Sequence, residues 1–86
     1  MAKYSYHRLD ANHREIVTGL RRAGCSVDLR SPGDALVGRA GVNYVLEIKT
    51  ARGKLRATQK AFQAGWRGQY ALVRSLEEAL TVVGAK

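Results

Sequence analysis

The alternation of hydrophobic and polar positions divides the chain into seven predicted elements. Apolar residues recur at helical spacing from about Asn12 to Gly24, whereas short alternating or continuous apolar runs further along indicate strands. Stretches with glycine or proline separate these segments. The predicted order is a helix from about Asn12, strands over 25–30, 34–38 and 42–50, a helix over 58–66, a strand over 69–75 and a helix from about 76.

Side chains suited to helix ends support the three helices. Glu15 follows Asn12 by three residues, which is the spacing of a capping box. Ser75 and Glu78 repeat that spacing, and Thr58 is a suitable cap for the middle helix. The predicted buried stripes are Ile16, Val17, Leu20 and Ala23 in the first helix, Ala61, Phe62 and Trp66 in the second, and Leu76, Ala79, Leu80 and Val83 in the third. Phe62 and Trp66 are interpreted as core rather than base-stacking groups.

The connections between strands predict the sheet. Short turns join the first three strands, which favours antiparallel pairing, and a helical crossover leads to the fourth, which favours parallel pairing. The expected fold is a single α/β domain over residues 1–86, with one mixed sheet flanked by helices in the order α-β-β-β-α-β-α. Residues 1–9 are expected to form a loosely held, flexible arm, in which Tyr4 and Tyr6 could pack.

Composition narrows the functional classes. The chain has 86 residues, which suits one small core, and 45% are hydrophobic, which excludes a disordered basic tail. No apolar run approaches the ~20 residues of a membrane span, and "MAKYSYHRLD" lacks an apolar signal region. We therefore expect a cytoplasmic protein that makes no membrane contact. The lone Cys25 is expected to be a small buried hydrophobe.

The charge of the chain points to a polyanionic partner. Fifteen Lys and Arg stand against 7 Asp and Glu, which gives a net charge of +8. A solvated basic surface without a partner is the alternative, but in so small a domain this excess favours nucleic acid.

The turn of the central hairpin determines which residues face each other. A two-residue turn at Ala40-Gly41, or a four-residue loop over 39–42, pairs Gly38 with Asn43. A three-residue turn would shift this register and weaken the geometry that follows from it.

The register with Gly38 opposite Asn43 places Asp34 opposite Glu47. Opposed Cβ atoms lie about 4.5–5.5 Å apart, and two carboxylates at that distance repel unless a cation lies between them. Lys49, two residues after Glu47, points to the same face. Two oxygen ligands without His or Cys suit Mg²⁺ or Mn²⁺ rather than zinc. The alternative is an Asp–Lys–Glu salt-bridge cluster on an exposed sheet face.

Asp34 followed by Glu47-Ile48-Lys49 resembles the PD-(D/E)xK nuclease signature, although the proline of "SPGD" stands two residues before the aspartate rather than next to it. The resemblance extends from about Asn12 to Val83, through "NHREIVTGLRRAGCSV", "NYVLEIKT" and "KLRATQKAFQAGWRGQYALVRSLEEAL". The chain is most similar to the small stand-alone phage and bacterial members of the VRR-NUC branch, which resemble Holliday-junction resolvases. The resemblance implies the restriction-endonuclease-like core of that superfamily.

The resemblance also implies roles for individual residues. Asp34, Glu47 and the backbone carbonyl of Ile48 would be metal ligands, and Lys49 would hold the attacking water or stabilise charge on the phosphate. Glu15 matches an additional acid that could reach a second metal, with the capping box as the alternative. Gln59 is a further catalytic candidate, with an exposed helix glutamine as the alternative; Gln63 stands where a related pattern has tyrosine.

The expected function is metal-dependent cleavage of DNA. The resemblance implies a Mg²⁺- or Mn²⁺-dependent endonuclease, acting as a homodimer on four-way junctions and on no small-molecule substrate. The basic loop after the third strand supplies the candidate DNA contacts, Arg52, Lys54, Arg56 and Lys60. No base-reading module is recognisable, so we expect selection of DNA structure rather than sequence. The alternatives are a nuclease for flaps, ends or plain duplex, and a non-catalytic nucleic-acid-binding module.

Overall fold

The chain folds into helices and strands in the predicted order. A computed structural model describes residues 11–30 and 32–86. Its elements are α1 (Ala11–Arg22), β1 (Ser26–Asp28), β2 (Ala35–Arg39), β3 (Val42–Ile48), α2 (Ala57–Gly65), β4 (Gln69–Val73) and α3 (Leu76–Val82). The expected small α/β domain is confirmed. The predicted arm over 1–9, with Tyr4 and Tyr6, lies outside the described residues.

The four strands form one mixed sheet in the order β1-β2-β3-β4. β2 pairs antiparallel with both β1 and β3, and β3 pairs parallel with β4, as the connection lengths predicted. The hairpin uses the two-residue turn, with φ of 54° at Ala40 and 80° at Gly41, the left-handed pair that such turns require. Gly38 consequently pairs with Asn43, and the predicted register is confirmed.

The face of the sheet below α1 and α3 carries the hydrophobic core. This cluster is built from Ile16, Val17, Leu20, Cys25, Ala35, Val37, Leu46, Ile48, Val73, Ala79 and Val83. Burying one large aliphatic side chain contributes about 1.5–3 kcal/mol, so these residues dominate stability. Cys25 is a buried free thiol, as predicted. Ala23 lies past the end of α1 and is exposed, so its assignment to the stripe was wrong.

Helix α2 lies on the opposite face and differs from its prediction. Its cap is Arg56 rather than Thr58, and its one buried residue is Gln59. Ala61 is exposed, and Trp66 is 42% exposed, so the interpretation of these residues as core is wrong. Gln59 takes the buried position of α2 because its side chain bonds to Glu47. Phe62 is half-buried and stacks on Trp66, with ring centroids 5.1 Å apart.

The first predicted capping box is also wrong. Asn12 lies inside α1, and its side-chain amide donates to the carbonyl oxygens of Lys49, at 3.1 Å, and Arg74, at 3.4 Å. At α3, Ser75 is the cap and its hydroxyl accepts from the Glu78 N–H at 3.1 Å, as predicted. The Glu78 carboxylate accepts from the Arg74 N–H instead of returning to Ser75.

Three strands are shorter than predicted because side chains take over their backbone groups. β1 ends at Asp28, whose carboxylate accepts from the Arg30 N–H at 2.9 Å and turns the chain. β3 and β4 end at Ile48 and Val73. One further ladder bond follows, from the Lys49 N–H to the Val73 carbonyl, and then the Lys49 carbonyl accepts from the Asn12 amide and the Arg74 N–H donates to the Glu78 carboxylate. None of the helices in the described part of the chain has the length and apolarity needed to cross a bilayer.

Candidate active site

The backbone brings Asp34 next to the end of β3. The last strand pair of β2 and β3 is Ala35 with Leu46, and the Asp34 N–H donates to the carbonyl of that same Leu46 at 2.9 Å, so the regular one-to-one register ends at this pair. One Asp34 carboxylate oxygen accepts from the Ile48 N–H at 2.8 Å. The Asp34 side chain is therefore fixed by the neighbouring strand, and its carboxyl lies within hydrogen-bonding reach of Glu47. The strand register ends at Ala35 with Leu46, so the two acids are close together without forming the predicted cross-strand pair.

The main chain of Ile48 supplies a third oxygen at the same place. Within a strand, the N–H and C=O of one residue point to the same edge. Since the Ile48 N–H points at Asp34, its carbonyl oxygen faces that side as well. The Ile48 carbonyl oxygen thus lies on the side of β3 from which the Asp34 carboxylate approaches.

Gly33 lets the chain approach Glu47 closely. Its φ is +70°, a conformation that favours glycine. A Cβ at Gly33 would stand 2.7 Å from a Val45 methyl carbon and 3.6 Å from a Glu47 carboxylate oxygen. The glycine of "SPGD" therefore permits the close passage of the segment that carries Asp34.

Glu47 is a buried acid next to a second acid. It is 4% exposed, and its pKa is raised to about 7, first by burial and then by the hydrogen bond and negative charge of Asp34. The positive charges of Lys49 and Arg56 act in the opposite direction. Near neutral pH the Glu47 carboxyl is therefore partly protonated, and a bound cation would displace this proton.

Gln59 reaches from α2 to the acid pair. Its side-chain oxygen accepts from the Arg56 N–H at 2.8 Å, and its NH₂ donates to Glu47 at 3.1 Å. The first bond fixes which end of the amide faces the carboxylate. The alternative of an exposed helix glutamine is wrong, because Gln59 is 8% exposed and holds one oxygen of Glu47.

Lys49 lies two residues after Glu47 and points to the same face. The alternative of an Asp–Lys–Glu salt-bridge cluster is not observed among the described residues. Between described residues, the ion pairs are Arg30 with Asp28 and Lys86 with Glu77. The half-exposed Lys49 thus acts on Glu47 through its field rather than through direct contact.

Glu15 is not brought into this group. It is exposed on α1, and the residues described here include no cluster of three His, Cys, Asp or Glu side chains that could hold a metal. The contribution of Glu15 to a second metal therefore stays a prediction.

Tyr70 is a candidate that the sequence prediction missed. It pairs with Val45 across the parallel strands, so its side chain shares the face of Glu47. Its hydroxyl is buried and finds no hydrogen-bond partner among the described residues. Burial, followed by the negative charges of Glu47 and Asp34, raises its pKa. Only the parallel register, which local patterns do not specify, could have revealed this residue.

The basic residues expected to bind DNA follow Lys49 in the chain, and the charge of one of them, Arg56, acts on the pKa of Glu47. Arg52, Lys54, Arg56 and Lys60 are all exposed, and they lie in the β3–α2 loop (residues 49–56) and the first turn of α2. On the same sheet face, away from α2, an open groove of about 540 Å³ runs between β1 and β2. Arg21 and Arg30 contribute to its walls, together with Asp28, which forms an ion pair with Arg30 at 2.7 Å.

The fold and this site together define a small α/β domain with an acid pair at the centre of a mixed sheet. Comparisons of the chain with protein-family models, with curated protein sequences and with solved structures find no match.

Proposed function

We propose that this protein is a Mg²⁺- or Mn²⁺-dependent nuclease of the PD-(D/E)xK type, similar to the VRR-NUC branch, that hydrolyses phosphodiester bonds in DNA. The observation that carries the proposal is the close contact of Asp34 and Glu47, two carboxyl groups that the sheet holds together and that raise the pKa of Glu47. A fold rarely retains such a pair without a ligand of opposite charge.

The donors present fit a small hard cation. Asp34, Glu47 and the Ile48 carbonyl would hold it, and Mg²⁺ commonly keeps several waters beside one or two carboxylates. When bound, such a cation lowers the pKa of water and polarises a phosphate. The carboxylates of Asp34 and Glu47 and the carbonyl of Ile48 would satisfy this requirement without Glu15.

The residues of the chain have separate tasks in this account. Lys49 supplies a fixed positive charge where negative charge develops on the phosphate. Gln59 holds Glu47 in one orientation, as outer-shell partners of metal ligands do. The unpartnered Tyr70 hydroxyl can donate to a phosphate oxygen or a water molecule between it and the acid pair.

The basic residues provide affinity for the sugar–phosphate backbone. Arg52, Lys54, Arg56 and Lys60 are exposed beside the acid pair, where they could contact phosphates on either side of the cut. Such contacts position a duplex but carry no sequence information. The proposed specificity is therefore for DNA structure, with four-way junctions as the first candidate substrate.

A panel of DNA substrates tests the activity. Duplex, flap, single-stranded and four-way-junction DNA of one sequence are incubated with the protein in Mg²⁺, in Mn²⁺ and in EDTA. Cleavage that requires the cation supports the proposal, and the preferred member of the panel identifies the substrate. Binding to DNA without cleavage under any condition would favour the alternative, a non-catalytic nucleic-acid-binding module.

The proposed active unit is a homodimer. One acid pair cuts one strand at a time, whereas symmetric resolution of a junction needs two sites related by a two-fold axis. Sedimentation at micromolar concentration measures the assembly, and a cruciform plasmid reports whether nicks occur in symmetric pairs. A monomer that makes single nicks would leave a structure-selective nickase as the function.

A further inference from the structure

A single arginine holds the first part of the β3–α2 loop. Arg74 Nη1 donates to the carbonyl oxygens of Thr50, at 2.6 Å, Gly53, at 2.7 Å, and Ala51, at 3.3 Å. Arg74 directly follows β4, the parallel neighbour of β3, so the sheet brings it next to the residue after Ile48. Because a guanidinium offers donors in a fixed plane, these bonds specify one path for the loop.

The backbone on both sides of the Lys49 Cα is fixed by other elements. Its N–H donates to the Val73 carbonyl at 3.1 Å, which extends the parallel ladder by one bond. Its carbonyl accepts from the Asn12 amide of α1, and the same amide reaches the Arg74 carbonyl. Asn12 therefore ties α1, the end of β3 and the end of β4 together at the lysine.

The loop held by Arg74 packs against the Lys49 side chain. A Cβ at Gly53 would stand 3.1 Å from Lys49 Cβ and 3.4 Å from its Cδ, so the lysine stem lies against the glycine backbone. Among the described residues Lys49 has no ion-pair partner. Packing against the loop, rather than a counter-charge, consequently sets the direction of its stem.

We propose that Arg74, supported by Asn12, is a positioning residue that fixes the Lys49 ammonium at the candidate active site by holding the β3–α2 loop against the lysine stem. The inference rests on the proposed role of Lys49 in DNA cleavage. Its structural part, the ordering of the Lys49 side chain, exists whether or not the protein cleaves DNA. In this account Arg74 contributes order to the site and no contact to the phosphate.

Kinetics of Arg74→Met separate positioning from DNA binding. The variant keeps a long side chain but loses the hydrogen-bond donors of Arg74. The matched control is Lys86→Met, which also removes one positive charge, here an exposed one that pairs with Glu77. We expect kcat to fall at least about tenfold with KM for DNA changed less than about threefold, because small displacements of reacting groups cost rate more than affinity. The control should change neither. A raised KM with unchanged kcat would assign Arg74 to phosphate binding and overturn the proposal.

Side-chain NMR tests the ordering without any cleavage. The Lys49 CεH₂ group should relax as a restrained group in the parent and as a freely rotating one in Arg74→Met, and the Gly53 N–H, which donates to Thr50 at 3.1 Å, should exchange faster in the variant. Unchanged Lys49 relaxation would overturn the inference. If the parent cleaves no DNA, the proposed function fails, and this measurement still decides the role of Arg74.

Gly53→Ala provides a second route that leaves Arg74 intact. The added methyl presses on the Lys49 stem, and we expect a loss of kcat of similar size with normal DNA affinity. The losses in Arg74→Met and Gly53→Ala should be less than multiplicative in the double variant, because both act through one side chain. The proposal would be contradicted if the loss of kcat in the double variant equalled the product of the two single losses. It would also be contradicted if Gly53→Ala kept full activity although its Lys49 side chain had moved. Should Arg74→Met fail to fold, the Gly53→Ala result alone decides.

Discussion

The two faces of the sheet bury side chains of different polarity, although both sets come from the same strands. Below α1 and α3, Leu46 and Ile48 of β3 enter an apolar cluster. Below α2, Glu47 of the same strand is buried against Gln59. Alternation along a strand separates the two sets of side chains, so one face can supply stability while the other carries a repulsive pair.

The difference shows where the fold tolerates an energetic cost. Each buried aliphatic residue of the first face contributes about 1.5–3 kcal/mol, whereas the acid pair on the second face holds a carboxyl far from its ordinary pKa. Local arrangements that disagree with the rest of a fold tend to be functional. Substitutions on the two faces should therefore have opposite effects on activity and stability.

The largest effect should come from removing a charge of the acid pair. Glu47→Gln keeps the shape, and its amide oxygen can still accept from Gln59. We expect metal-dependent cleavage to fall more than about 100-fold, since loss of an outer-shell partner alone costs 10–100-fold. The unfolding midpoint in metal-free buffer should hold or rise, because repulsion with Asp34 is lost. Cleavage assays and thermal unfolding measure both, and activity near that of the parent would remove Glu47 from the site.

The core face should respond in the opposite way. Leu46→Ala should cost about 2–5 kcal/mol of unfolding free energy, as truncation of a buried leucine does. Leu36→Ala is the matched control, because Leu36 lies on the face of Asp34 and is only half-buried. Denaturant unfolding should show a clearly smaller loss for Leu36→Ala. Equal losses would mean that the two faces do not divide stability as described.

These contrasts also show how far the sequence predicts the molecule. The register of the hairpin, with Gly38 opposite Asn43, was predictable because it depends on a local turn at Ala40-Gly41. The direct pairing of Asp34 with Glu47 was not, because the regular register ends at Ala35 with Leu46. The turn needed φ > 0 at two residues, and "RAG" supplied a glycine at the second. The parallel strand was predictable for a similar reason, since the helical connection between β3 and β4 is long enough to cross the sheet.

The remaining parts of the site depend on contacts between distant segments. Asn12 resembled a cap locally, but its amide bonds to Lys49, 37 residues away, and Arg74, 62 residues away. The stripe of α2 failed because Gln59 is buried through its bond to Glu47, whereas Trp66 is left 42% exposed. Periodicity identifies which residues share a face and does not indicate what that face meets.

The basic surface beside the acid pair should give a smaller, graded effect. Binding of DNA should weaken steeply with salt if Arg52, Lys54, Arg56 and Lys60 contact phosphates. Each single substitution by alanine should flatten the slope of log K against log salt by about one unit on duplex DNA. Arg22→Ala, an exposed arginine of α1, is the control. A fourfold variant that binds as tightly as the parent at every salt concentration would exclude this surface.

The smallest effect expected is a dependence of stability on pH. The pKa of Glu47 is raised from 4.5 to about 7, so the folded protein holds a proton that the unfolded chain has released over this range. The stability that this retained proton contributes to the folded state is fully present below about pH 4.5 and is lost as pH rises through about 7. We expect the metal-free parent to lose about 1–2 kcal/mol relative to Glu47→Gln across this window, after allowance for solvent screening. Parallel pH profiles of the two proteins in unfolding experiments would refute this.

The central claim, that Asp34 and Glu47 hold the cation that cleaves DNA, is tested most directly by one paired measurement. The parent and Asp34→Asn are titrated with Mn²⁺ by calorimetry, and the same samples are assayed on a labelled four-way junction. The account predicts one saturable binding event and cation-dependent cleavage in the parent, and the loss of both in Asp34→Asn, with DNA binding in EDTA retained or tightened. Full cleavage by Asp34→Asn, or equal Mn²⁺ binding by both proteins, would contradict it.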